Sequence, residues 1–171
     1  EDPHSKGAFH PRINAKLMPA YAQASDAEKS AFDALYEDFF YHRHNDFWGK
    51  GAVEKLSSLL GSTGMLACGE DLGMIPSCVT PVMRHLNILS LEIQRMSKPY
   101  GEIFADPASY PYTCVCTTST HDMSPLRAWW REDRGLTQHY YNDILHRPGE
   151  APYDCTEDIC RDIVASHLHS P

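Results

Sequence analysis

The stretch that most constrains the fold is Met65-Leu66-Ala67-Cys68-Gly69-Glu70-Asp71-Leu72-Gly73-Met74-Ile75-Pro76. A short run of small and apolar residues ends at two adjacent carboxylates, which are followed by a glycine, a proline and a helical pattern. The run predicts a buried strand, Met65 to Cys68, that delivers acids to its own C-terminal end. In sheets built from β-α units, that end is where ligands are handled. Successive strand side chains point to opposite faces, so Glu70 and Asp71 cannot enter one pocket in the same way. One of the two is expected to work on a ligand and the other, Asp71, to brace the turn.

The same alternation of helix and strand runs along the rest of the chain. Residues 1–24, rich in Pro, His and small side chains, read as an extended lead-in. Ser25-Asp26-Ala27-Glu28 is a capping box, and Phe32, Leu35, Tyr36, Phe39, Phe40 and Phe47 keep helical spacing as far as Trp48. Val53, Leu56, Leu59 and Leu60 predict a second helix, with Gly61 placed to stop it. Beyond the acidic turn, Val79, Val82, Met83 and Leu86 form a short helix that Asn87 can end. Ile88 to Ile93 is a second strand with Gln94 and Arg95 at its C-terminal end. Prolines 99, 107 and 111 make residues 97–112 a loop. Cys114-Val115-Cys116-Thr117-Thr118 is a third strand running into Ser119-Thr120-His121-Asp122. Ser124-Pro125 opens a helix carrying Leu126, Trp129 and Trp130, with Gly135 as its expected stop. Further helices are expected over 137–145 and 156–168. This order is that of an α/β protein with a parallel sheet.

Composition narrows the function. The 171 residues fit one ordinary domain, and 42% hydrophobic content is enough for a core. Fifteen basic against 23 acidic residues give a net charge of −8, which argues against nucleic acid or an anionic membrane as partner. There is no 18-residue apolar run and no charged-then-apolar leader, so neither membrane insertion nor secretion is expected. Of the six cysteines, Cys68 and Cys114 sit in apolar strand-like runs, where a free thiol behaves as a small hydrophobe. Reduced thiols of a cytoplasmic protein are therefore preferred to a disulfide framework. Cys114-x-Cys116 has no second pair at zinc spacing, and no metal or cofactor is expected. His42-x-His44 lies on a predicted helix, where residues two apart do not face each other.

Parallel strands bring three polar clusters to one edge of the sheet: Glu70 with Asp71, Gln94 with Arg95, and His121 with Asp122. One acid after a strand more often caps the next helix than does chemistry. Three such clusters at three successive strand ends point to a site. Two carboxylates flanking a sugar bond suit glycoside chemistry, with a general acid whose pKa is raised by partial burial.

The clusters, in order and spacing, carry a resemblance. Cys68-Gly69-Glu70-Asp71-Leu72-Gly73, Leu89-Ser90-Leu91-Glu92-Ile93-Gln94-Arg95-Met96 and Thr118-Ser119-Thr120-His121-Asp122 resemble the later catalytic-barrel motifs of the 4-α-glucanotransferases. These are the amylomaltases and disproportionating enzymes of glycoside hydrolase family seventy-seven. Phe40-Tyr41-His42-Arg43-His44-Asn45-Asp46-Phe47-Trp48 is similar to the type-two, cytosolic branch and its bacterial relatives. The resemblance runs from about His10 to the C-terminus.

What it implies can be carried over by position. Residues 25–171 would be part of a (β/α)8 TIM-type barrel, about strands five to seven with their helices, which the rest of a parent chain completes. The Glu-Asp-Leu-Gly glutamate is the family's acid/base, so Glu70 takes that role. The His-Asp aspartate is its transition-state stabiliser, so Asp122 would grip the distorted sugar, with His121 bonded to the same ring. Gln94, Arg95 and Asp71 are candidate substrate contacts, Asp71 also being the expected brace. The family's retaining mechanism needs a nucleophilic aspartate in an Arg-x-Asp motif on strand four, and nothing in this chain is expected to match it. The parent is thus expected to transfer α-1,4-glucan segments between maltooligosaccharides or glucans, and this piece to be silent alone. The alternatives are a non-catalytic glucan-binding fragment and a metal-dependent hydrolase built on Glu70, His121, Asp122 and the cysteines. The Trp129-Trp130 and Tyr140-Tyr141 pairs are expected to pack helices on the sheet rather than stack on sugars. His167-x-His169 is expected at a fraying helix end.

Overall fold

The computed structural model describes residues 4–73 and 75–171; residues 1–3 of the lead-in and Met74 of the acidic turn lie outside the described residues. The chain forms two compact units: one takes the residues up to Gly61 with Pro76–Val82, the other Ser62–Ile75 with Met83–Pro171.

The first unit is helical. Its lead-in is not wholly extended, because a 3-10 turn at Ala15–Leu17 and the short helix α1 (Pro19–Gln23) lie within it. The capping box forms as expected at the start of α2 (Asp26–Glu37). Glu28 Oε2 accepts the Ser25 N–H at 2.8 Å, and Ser25 Oγ accepts the Glu28 N–H at 3.4 Å. The helix then widens into a π-helical stretch, Asp38–Arg43, and continues as α3 (His44–Gly61). The expected break near Trp48 is absent. Gly49 and Gly51 each cost a helix only about 1 kcal/mol, and no proline intervenes to remove a backbone donor. Tyr36 is the buried centre of this unit, with its hydroxyl donating to the Ile13 carbonyl at 2.5 Å and the Phe40 ring 4.7 Å away. His42 is exposed, whereas His44 is half-buried between the rings of Phe39 and Trp48.

The second unit carries the sheet. Helix α4 (Val79–His85), whose residues up to Val82 belong to the first unit, runs toward Asn87, whose φ of 54° turns the chain. Strand β1 (Ser90–Ile93) pairs in parallel with β2 (Cys114–Thr117), Ser90 opposite Cys114 through to Ile93 opposite Thr117. The strand expected at Met65–Cys68 reduces to one parallel bridge, Cys68 to Leu89. It is held by Leu89 N–H to Ala67 O at 3.0 Å and Gly69 N–H to Leu89 O at 2.8 Å. Met65 and Leu66 are exposed rather than buried, and the Met65 N–H goes instead to Thr63 Oγ1 at 3.2 Å. A nearby hydroxyl that captures a backbone donor competes with the ladder.

Three helices follow β2: α5 (Leu126–Glu132), α6 (Arg134–His139) extended by a π-helical turn at Tyr140–Ile144, and α7 (Glu157–Leu168). Gly135 does not stop α5. The chain turns at Asp133, whose carboxylate accepts the Leu136 N–H at 3.0 Å and caps α6, with Gly135 inside it. The core of the unit gathers Phe104, Trp129, Trp130, Tyr140, Cys155, Ile159 and Ile163. The Trp129 and Tyr140 rings meet edge to face at 5.5 Å, and the Trp130 indole N–H donates to Pro152 O at 2.9 Å. His167 is buried rather than frayed, while His169 at the helix end is exposed. Among the described residues no helix is long and apolar enough to cross a membrane.

Candidate catalytic edge

The order Cys68, Leu89 with β1, and β2 places three parallel segments side by side, each ending on the same edge. At the first, the two adjacent carboxylates differ in burial. Asp71 is buried, accepting the Leu91 N–H at 2.8 Å and the Lys98 ammonium at 2.8 Å. Lys98 also donates to Glu92 at 2.7 Å, and Glu92 accepts the Ser90 hydroxyl at 3.0 Å. Asp71 thus ties the acidic turn to β1 and to the loop beyond it. The turn is completed by Gly73, whose φ of 75° is a conformation that a Cβ disfavours. Glu70 is exposed. The described residues therefore do not supply the burial beside apolar strands that was expected for a general acid.

At the second segment, Gln94 is 3% exposed, and its Oε1 accepts the Tyr140 hydroxyl at 2.5 Å. Its carbonyl accepts the Ala105 N–H at 2.9 Å. Arg95 reaches across to the third segment. Its Nε and Nη2 donate to the Thr118 carbonyl at 3.1 and 2.8 Å, and Nη2 also donates to the Ser124 carbonyl at 2.9 Å. The guanidinium lies 4.8 Å from the centre of the Trp129 ring, and burial lowers its pKa from the usual arginine value. Arg95 therefore holds both ends of the 118–124 turn.

That turn carries His121 and Asp122. His121 Nε2 and Asp122 Oδ2 are 3.2 Å apart, with side chains 83% and 68% exposed. The Asp122 N–H donates to Thr120 Oγ1 at 3.3 Å, which sets the turn's shape. The six sequence-derived residues thus divide. Glu70, His121 and Asp122 line an open rim, while Asp71, Gln94 and Arg95 spend their polar atoms on the protein beneath it. A hollow of about 300 Å³ beside Gln94 is lined also by Phe104, Asp106, Asp143, Ile144 and His146.

Sequence reasoning missed Lys98 and Tyr140, the partners that fix the floor. Lys98 joins Asp71 and Glu92, which stand on neighbouring segments. The expectation that nothing in the chain matches the nucleophile motif is corrected in spelling, because the tripeptide Arg131-Glu132-Asp133 has it. Asp133, however, is the cap of α6, at a helix junction and not at a strand end.

A family model described as 4-alpha-glucanotransferase, glycoside hydrolase 77, matches residues 15–171. The chain is 39% identical over 170 residues to the 4-alpha-glucanotransferase DPE2 of Oryza sativa subsp. japonica, covering 99% of this chain and 18% of the rice protein. It is 37% identical over 83 residues to a 4-alpha-glucanotransferase of Chlamydia pneumoniae, covering 47% of this chain and 16% of that protein. A 4-alpha-glucanotransferase of Chlamydia trachomatis is 37% identical over 79 residues, 45% of this chain and 15% of that one. The chain thus spans less than a fifth of the length of each of these relatives. No solved structure gives a significant match. With the family model covering nearly all of it, the chain belongs to the 4-alpha-glucanotransferase family, glycoside hydrolase family seventy-seven.

Proposed function

We propose that these residues are strands five to seven of a (β/α)8 barrel and form one edge of a site that transfers α-1,4-glucan segments between maltooligosaccharides or glucans. The observation that carries this is the rim itself. Three side-by-side parallel segments lead to Glu70, Arg95 and Asp122, the places of the motifs that carry the resemblance. Glu70 protonates the departing glycosidic oxygen and then, as carboxylate, takes the proton of the incoming sugar hydroxyl. Asp122 and His121 hold the hydroxyls of the distorted sugar. Arg95, Gln94 and Asp71 serve the substrate by fixing the turns on which those groups stand. The nucleophilic carboxylate comes from a strand outside these residues, so this chain alone transfers nothing. An occupied acceptor site, and not water, receives the glucan. The protein works in the cytoplasm on glucan, with neither nucleic acid nor a membrane as partner.

The test is disproportionation of maltose by the parent protein, with wild type beside Glu70→Gln. The variant is expected to lose roughly 10²–10⁴-fold in turnover while still binding glucan. Unchanged turnover would make Glu70 a structural carboxylate and end the proposal. Glucose release by the 171-residue chain alone would show that it carries its own nucleophile.

A further inference from the structure

Two thiols meet at the opening turn of α7. Cys155 stands just ahead of Thr156, the residue before the helix, and Cys160 lies one turn in, with their sulfurs 3.2 Å apart. Cys155 is 4% exposed within the core beside Ile159 and Ile163, while Cys160 is only partly buried against that core. A disulfide has its sulfurs about 2.05 Å apart, so roughly 1 Å of side-chain travel separates this pair from a bond. Among the described residues no three His, Cys, Asp or Glu groups come together around the pair.

We propose that Cys155 and Cys160 are a modification site, closing to a reversible disulfide by exchange with a low-molecular-weight disulfide of the glutathione class. The more accessible Cys160 enters first. Its thiolate attacks one sulfur of the small disulfide, the S–S bond breaks, and one small thiolate leaves and takes up a proton. Cys155 then gives its proton to solvent and attacks Cys160 Sγ, expelling the second small thiolate. Two protein thiols are oxidised by two electrons, and one small disulfide is reduced to two thiols.

The geometry explains the order of events. Burial pushes the Cys155 thiol well above the ordinary thiol range, with the neighbouring Cys160 adding to the shift. Cys155 is therefore a poor first attacker. Once Cys160 is capped as a neutral mixed disulfide, its like charge is gone and the resolving thiol is already in place. The bond would pin the start of α7, the helix that carries Ile159 and Ile163 into the core.

The experiment equilibrates the intact protein, folded, with mixtures of glutathione disulfide and glutathione, quenches in acid, alkylates and maps the peptides. Arg147 precedes Pro148, so trypsin releases residues 135–161 as one peptide holding both cysteines and no others. The expected result is loss of both alkylatable thiols from that peptide with a mass about 2 units lower, reversed by dithiothreitol. It should appear at a glutathione ratio that leaves the same peptide reduced in denaturant. With Cys155→Ser the reaction should stop at a glutathione adduct on Cys160. A folded protein whose peptide keeps two alkylatable thiols would overturn the proposal. So would closure that is equally easy in denaturant, or wild type arrested at the Cys160 adduct.

Discussion

The rim and the floor of the candidate edge are built from neighbouring residues and obey opposite rules. Glu70, His121 and Asp122 on the rim are exposed, and the only side-chain contact between any two of them is the 3.2 Å approach of His121 to Asp122. Asp71, one residue from Glu70, is 6% exposed and holds a backbone N–H and an ammonium. Gln94 and Arg95 are likewise committed to Tyr140 and to two backbone carbonyls. The difference teaches that adjacency in sequence is no guide to role at a strand end. One carboxylate stays in solvent and the next is sunk, and burial then obliges the sunken one to find partners. Substitutions on the floor should therefore be read in stability, and those on the rim in turnover.

The sharpest way to break this contrast is to truncate the two carboxylates separately. Asp71→Ala leaves Lys98 with only Glu92 and the Leu91 N–H with no acceptor, a loss expected to cost about 3 kcal/mol. Glu70→Ala is expected to stay within about 0.5 kcal/mol of wild type. Urea unfolding of the two variants side by side decides the matter; equal costs would erase the distinction between rim and floor. A smaller effect tests the floor at Gln94. Tyr140→Phe removes the only side-chain donor shown to reach the buried Gln94 Oε1 while keeping the ring in the core, and should cost about 1–2 kcal/mol. A neutral result would mean that water satisfies Gln94 and that the floor is looser than its packing suggests.

Much of this division was legible in the sequence, because it rests on short-range rules. Period-two side-chain alternation separated Glu70 from Asp71, and the β-branched runs located β1 and β2. The Ser25 to Glu28 capping box marked the start of α2. What was not legible depended on distant partners. Lys98 meets Asp71 across 27 residues, and no local pattern announces such a pairing. The Met65–Cys68 strand was predicted from composition, but a strand forms only where its backbone groups find a ladder, and most of this run does not. Gly61 and Gly135 were each expected as helix stops, and only the first ends its helix. Glycine is only a modest penalty inside a helix, and it ends one when the following backbone needs a left-handed turn. Gly135 instead lay inside a helix that Asp133 had already capped.

His167 offers the finest test of how tightly the lower part of this unit is closed. The residue was expected at a fraying end, yet it is buried, its Nδ1–H donates to the Ile163 carbonyl at 2.7 Å, and its Nε2 has no hydrogen-bond partner. A second proton would place a positive charge on that bare, buried nitrogen. Burial therefore lowers the pKa below 6.5, the Arg95 guanidinium lowers it further, and the Ile163 bond opposes them in part. The consequence for stability has a definite sign. Below about pH 6.5 the unfolded chain takes up a proton at His167 that the folded chain refuses, so stability falls as the solution is acidified. The fall ends once the folded form also becomes protonated. At its steepest this is roughly 1.4 kcal/mol per pH unit, and it is read as an unfolding free energy that falls between pH 7 and pH 5. Asp158, held near pKa 2 by Thr156 and Arg147, contributes its own acid sensitivity only at lower pH, so the two are separable. His167→Gln, whose amide can still donate to Ile163 but does not titrate, should flatten the profile over that window. Identical slopes for the variant and wild type would mean that water reaches Nε2, and that the packing beneath the candidate edge opens on the timescale of unfolding.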